Sequence, residues 1–206
     1  MQKKIRKIYC VRGSSGYARW MQGEIVKNME EADLVVLPGG SDVPTKYYAK
    51  STHPSTWGFS SGEEEYNEIQ KALSLGKKIW GTCKGLQWSS VISGGSLIQD
   101  LNHPGSHKIT TEDGKTLIVN SLHHQAVYPF DLPKDEYRII GWAENLSPHH
   151  QDGDCKEMEV SVEPEIVYFP KTKMLGTQFH CELMSETHPT VQYCQDLLDR
   201  FMEDKL

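Results

Sequence analysis

One cysteine in this chain sits in a setting that could make it a nucleophile. Cys83 lies in Gly81-Thr82-Cys83-Lys84-Gly85, between the apolar pair Ile79-Trp80 and the run Leu86-Gln87-Trp88. The pattern G-x-C-x-G parallels the serine elbow G-x-S-x-G, where a nucleophile occupies a sharp strand-to-helix turn. Small residues on either side allow the bend. At a helix start the sulfur would meet unpaired N–H groups and a partial positive charge, and both favour thiolate over thiol. Taken alone, Cys83 is equally a buried structural cysteine beside a tight turn.

Thiol-dependent hydrolysis also needs a base that doubles as acid, and donors for an oxyanion. Thr177-Gln178-Phe179-His180-Cys181-Glu182 offers His180 for the first task, with Glu182 to hold its tautomer and stabilise the imidazolium. By themselves a His and a Glu on a strand end are an ordinary polar face. Pro38-Gly39-Gly40 follows the apolar run Leu34 to Leu37 and could aim a backbone N–H into a cleft at the carboxyl edge of a sheet. The Lys84 N–H would be its partner. A Pro-Gly turn alone is common.

These residues require strands to carry them and helices to brace the strands. Lys7 to Val11 and Asp33 to Leu37 read as strands, the second continuous enough to be covered on both faces. Tyr17 to Glu31 is one helix, or a short helix and a strand near Glu24 to Val26. Val43 to Gly62 is a long loop, on which Trp57 and Phe59 could cover a substrate or pack on the surface. A helix capped by Ser60 or Ser61 should run to Leu75, with Glu63, Glu64 and Glu65 as charge at its start and Gly76 past its end. A second helix follows Cys83 to about Ser93. Leu97 to Leu101 is a strand or turn. Thr116 to Asn120, Tyr137 to Ala143 and Glu157 to Val162 are expected strands, and Glu165 to Phe169 pairs with Met174 to Phe179 as a hairpin. Pro189 opens a last amphipathic helix with Val191, Cys194, Leu197, Leu198 and Phe201 on one side. Alternating strands and helices predict an α/β fold, a three-layer sandwich with a mostly parallel central sheet.

With 206 residues the chain is expected to form a single domain over 1–206. The net charge of −6 argues against a nucleic-acid partner, and the short apolar runs argue against a membrane. Five scattered cysteines with no C-x-x-C pair suit a reducing, cytoplasmic setting. His103 and His107, with His149-His150 and Cys155, match no compact ligand set, so neither a metal ion nor an organic cofactor is expected.

In order, the chain presents a strand followed by P-G-G, then G-x-C-x-G-x-Q, then N-S-x-H-H-Q, then Q-F-H-x-E. This series resembles the class I glutamine amidotransferase superfamily, most closely its gamma-glutamyl hydrolase-like (gamma-glutamyl-GABA hydrolase-like) branch, from Leu34 to Glu182. The resemblance implies a flavodoxin-like fold with a nucleophile elbow. It implies a Cys83, His180, Glu182 triad and an oxyanion hole from Gly39, Gly40 and Lys84. It also implies substrate contacts from Gln87 and from Ser121, Leu122, His123, His124 and Gln125. The family's usual Cys-Arg-Gly is Cys83-Lys84-Gly85 here. Its usual His-Pro-Glu is His180-Cys181-Glu182, which puts a second thiol near the site. The implied activity is cleavage of the γ-amide of glutamine or a γ-glutamyl amine through a γ-glutamyl thioester. Two alternatives stand beside it: a glutaminase subunit delivering ammonia to a separate synthetase, and a non-catalytic regulatory relative.

Overall fold

A computed structural model describes residues 5–13, 16–49, 51–58, 62–103, 105–144 and 146–206. The expected helix cap at Ser60 or Ser61, Phe59, and Ser14 and Ser15 of the first loop lie outside them.

The first half of the chain builds parallel strands. β1 (Arg6–Cys10) is followed by a short helix α1 (Gly16–Trp20), β2 (Gly23–Ile25), β3 (Leu34–Leu37), α2 (Gly62–Ser74), β4 (Lys78–Thr82) and α3 (Lys84–Ile92). The ambiguous stretch after Tyr17 is therefore a short helix and a strand. The second half is richer in β structure: β5 (Ser96–Ile98), β6 (Asp100–Leu101), β7 (Ser106–Thr111), β8 (Thr116–Asn120), β9 (Ala126–Tyr128), β10 (Arg138–Ala143), β11 (His150–Gln151), β12 (Glu163–Phe169) and β13 (Met174–Thr177). α4 (Pro189–Met202) closes it.

Among the described residues nine strands form one sheet in the order β2-β1-β3-β4-β13-β12-β10-β7-β8. From β2 to β13 every pairing is parallel, and from β13 onward every pairing is antiparallel. β12 and β7 are thus the two strands that run against the rest. The hairpin of β12 and β13 pairs Phe169 with Met174, as the intervening Pro170-Lys171-Thr172-Lys173 predicts.

Strand alternation splits the core into two layers. Leu34, Val36, Trp80, Ile166 and Leu175 point to the side packed by α1 and α4, where Val191, Cys194, Leu197, Leu198 and Phe201 are buried. Val35, Leu37, Ile79, Val167 and Met174 point to the side of α2 and α3, among Ile69, Leu86, Trp88 and Val91. Helices, sheet and helices make the three layers that the continuous apolar strands predict.

The strand expected at Glu157 to Val162 does not form. Its residues have one isolated bridge, Glu157 to Gln151, and the strand starts only at Glu163. Met158 and Val160 instead cover a small apolar cluster of Ile98, Leu101 and Ala126. Among the described residues no helix is long and apolar enough to cross a membrane.

Candidate active site

Three neighbouring strand ends assemble the site. Leu37 pairs with Gly81 and Thr82 pairs with Thr177. The residues just beyond those ends are Gly39-Gly40, Cys83 and His180, and the register sets them side by side at the carboxyl edge of the parallel strands. Ligands of α/β sheets bind at that edge.

Cys83 has φ 53° and ψ −110°, a conformation that costs a non-glycine residue about 1–3 kcal/mol. Its surroundings hold it there. Its N–H donates to Thr177 O at 2.7 Å, and its carbonyl accepts from the N–H groups of Leu86 and Gln87 at 2.9 and 3.1 Å. Added side chains at Gly81 and Gly85 would run into the Gly85 backbone and the Leu37 carbonyl, so both glycines allow the close packing of β4, α3 and β3.

His180 stands between Cys83 and Glu182. Its ring interacts with the Cys83 side chain, and its Nδ1 lies 2.6 Å from Glu182 Oε1. Burial works against a charged ring, but the bonds to Cys83 and Glu182 override it and raise its pKa to about 10. Asn120 clamps the His180 backbone: its Oδ1 accepts from His180 N at 2.9 Å and its Nδ2 donates to His180 O at 3.0 Å. A side chain on Gly39 would begin 2.5 Å from His180 Cε1, so the Cε1 edge of the ring abuts that glycine.

Tyr17 braces the far end. Its hydroxyl donates to Glu182 Oε1 at 2.9 Å and accepts from Gly39 N–H at 3.1 Å. Burial and the Glu182 charge push the phenol far above its ordinary pKa, so it stays a donor. The two glycines expected to share the oxyanion role thus differ. The Gly39 N–H is committed to Tyr17, whereas the Gly40 N–H has no partner among the described residues and its residue borders the same cavity as Cys83. Lys84 opens α3, and its ammonium is buried 2.7 Å from Glu65 Oε2, which also accepts from Trp88 Nε1 at 2.9 Å.

The cavity beside the sulfur is lined by Gly40, Ser41, Asp42, Trp57, Gln87, Leu122, His123, His124 and Gln125. Five of the six expected substrate contacts are therefore together, and Ser121 is buried outside the lining. Gln87 Nε2 donates to the Gln125 carbonyl at 2.9 Å, tying α3 to that wall. Asp42 accepts from Trp57 N at 2.8 Å and lies 3.0 Å from His124 Nε2. The Asp42 hydrogen bond raises the His124 pKa, whereas burial pushes His123 down to about 3. One wall thus carries a chargeable imidazole and a neutral one. Cys181 turns away from the sulfur of Cys83 into the core beside Cys194, and burial raises its thiol pKa. No disulfide links the five cysteines, all of them among the described residues.

Sequence reasoning missed Tyr17, Asp42 and Asn120. Asn120 opens the N-S-x-H-H-Q stretch and Asp42 follows the P-G-G turn, so both had a signal in position. Tyr17 had none. Sequence reasoning also set His103 apart from His123 and Glu165, whereas the fold places one ligand-type atom of each within 4.8 Å of the others.

The profile of the family described as Peptidase C26 matches residues 18–182. The glutamine amidotransferase-like protein YvdE of Lactococcus lactis subsp. lactis is 30% identical over 189 residues, covering 80% of this chain and 72% of its own. A solved glutamine amidotransferase of Thermotoga maritima superposes with a TM-score of 0.58 at 15% identity, covering 99% of this chain and 87% of its own. The glutaminase domain of the Trypanosoma brucei CTPS, solved with bound acivicin, gives a TM-score of 0.58 at 12% identity, covering 98% and 95%. The fold is that of a class I glutamine amidotransferase domain.

Proposed function

Because this chain belongs to the Peptidase C26 family, we propose that it is a cysteine-dependent amidohydrolase cleaving the γ-amide of glutamine or of a γ-glutamyl amine. The observation that carries this function is the unbroken row from Tyr17 through Glu182 and His180 to Cys83. It contains a nucleophile, a base that becomes the acid, and a carboxylate held by a second donor.

His180, charged below about pH 10, holds the proton taken from Cys83, and the thiolate adds to the γ-carbonyl carbon. The oxyanion accepts from the N–H groups of Gly40 and Lys84, fixed donors that need no reorganisation as charge develops. Collapse breaks the C–N bond, and the His180 imidazolium protonates the departing ammonia or amine. A γ-glutamyl thioester remains. His180 then deprotonates a water that attacks it, releasing glutamate and restoring the thiol. Gln87, His124 and Gln125 line the cavity and would meet the α-amino and α-carboxylate ends, holding the γ-carbonyl over the sulfur.

Glutamate and ammonia release should be followed from glutamine and from a panel of γ-glutamyl amines. Cys83→Ala is expected to lose activity by a factor on the order of 10³ or more. Rapid turnover of a γ-glutamyl amine marks a stand-alone hydrolase. Weak turnover of glutamine alone marks a subunit that serves a separate synthetase. Activity that survives Cys83→Ala overturns the proposal.

A further inference from the structure

Behind the cavity wall lies a buried group that the proposed hydrolysis does not use. His103 follows β6, His123 follows β8, and Glu163 and Glu165 belong to β12. The side chains of His103, Glu163 and Glu165 are each only 1% exposed. The His103 ring packs edge-on against His123, with centroids 5.0 Å apart.

Hydrogen bonding fixes where the lone pairs point. Glu163 Oε2 lies 2.8 Å from His103 Nε2. A carboxylate accepts, so His103 Nε2 carries a proton, and in the neutral ring Nδ1 presents a lone pair. The Gln125 carbonyl lies 2.9 Å from His123 Nδ1 and can only accept, so His123 Nε2 presents a lone pair as well. Glu165 Oε1 lies 3.0 Å from His107 Nε2. His103 Nδ1, His123 Nε2 and Glu165 Oε2 are all buried without a hydrogen-bond partner. His103 Nδ1 and Glu165 Oε1 are 3.7 Å apart, beyond hydrogen-bond range. Three acceptors converge with no donor among them, in a place where unmet polar atoms are costly.

We propose that His103 Nδ1, His123 Nε2 and the Glu165 carboxylate bind one divalent transition-metal ion of the zinc type. Two imidazoles and a carboxylate are a recurrent zinc donor set. The outer contacts also suit it: ligating histidines usually give their other N–H to a carboxylate or a backbone carbonyl, as His103 does to Glu163 and His123 to Gln125. Two buried carboxylates, Glu163 and Glu165, lie at the site, and a divalent cation offsets their charge. Ligand atoms in a tetrahedral zinc site are about 3.4 Å apart, so atoms up to 4.8 Å apart must close by up to about 1.4 Å, within reach of imidazole rotation. The ion would tie the loop after β6 and the cavity wall at His123 to β12.

The test uses a Cys83→Ala background, which removes a thiolate that would also take the ion. Metal-stripped protein is titrated with Zn²⁺ and with Co²⁺. One equivalent should bind, Co²⁺ should develop visible ligand-field absorption without a sulfur charge-transfer band, and Zn²⁺ at a hundred-fold excess over its Kd should raise Tm by about 5–10 °C. His103→Ala and Glu165→Gln should weaken binding at least ~100-fold, and the milder Glu163→Gln by about 10–100-fold. No uptake of either ion at micromolar concentrations overturns the proposal and leaves the acceptors to water or to protonated imidazoles. So does stoichiometric uptake that keeps full affinity in folded His103→Ala or Glu165→Gln.

Discussion

At the scale of single residues, His180 is governed by two partners with one effect. Both Cys83 and Glu182 favour the charged ring, and together they outweigh burial. The folded pKa of about 10 lies above the ordinary 6.5, so the stability His180 contributes is complete below 6.5 and is lost as pH rises through about 10. In the proposed hydrolysis catalysis follows the same proton, because the imidazolium must deliver it to the leaving amine. The alkaline limb of kcat/KM is expected near pH 10. Glu182→Gln removes the carboxylate charge and should move that limb toward neutral while lowering kcat more than it alters KM. A pH–rate profile of both proteins checks this, and an unmoved limb would detach Glu182 from the proton transfer. Tyr17 supports the arrangement from a distance, since one hydroxyl holds both Glu182 and the Gly39 turn.

At the scale of elements, the site depends on how closely β3, β4, β13 and α3 approach. Glycine plays a different part at two positions. At Gly85 an added Cβ meets the Leu37 backbone, whereas at Gly76, after α2, φ is 64° and an added Cβ meets nothing within 4 Å. Gly76→Ala should therefore cost about 1 kcal/mol, the conformational penalty alone. Gly85→Ala must part a helix from a strand and should cost at least about 3 kcal/mol. Urea unfolding measures both, and equal losses would mean that the elbow tolerates a wider spacing. The buried pair of Lys84 and Glu65 fastens α3 to α2 at the same turn. The Lys84 backbone N–H remains the group proposed for the oxyanion.

At the scale of the whole molecule, two separate core layers sandwich the sheet, and the site occupies one edge of it. Damage to the layer under α4 should weaken the fold without touching the chemistry. Leu198 is fully buried there, and Leu198→Ala is expected to cost 2–5 kcal/mol, read from urea unfolding, with kcat/KM of the folded protein at 25 °C unchanged. A matching loss of activity would couple that layer to the strand ends. Much of this architecture is local in origin. The continuous apolar run of β3, the glycine-flanked Cys83, the capped amphipathic α4 and the β12–β13 hairpin each declare themselves in short stretches, because strand period, helix period and turn chemistry are properties of neighbouring residues. Position along the chain also marked Cys83, His180 and Glu182, since strand ends deliver residues to a predictable edge. What no local pattern carried was contact across the chain. The Tyr17 hydroxyl reaches Glu182 over 165 positions, Asp42 meets His124 over 82, and Glu163 meets His103 over 60. The same holds for the strand predicted at Glu157 to Val162, whose apolar residues found a better burial against Ile98 and Leu101 than in the sheet. Sequence alone therefore determined the layers, the elbow and the order of the reactive groups. Tertiary structure decided which side chain holds Glu182, which glycine N–H has no partner among the described residues, and which histidines face one another, because each depends on atoms brought together only when the sheet closes.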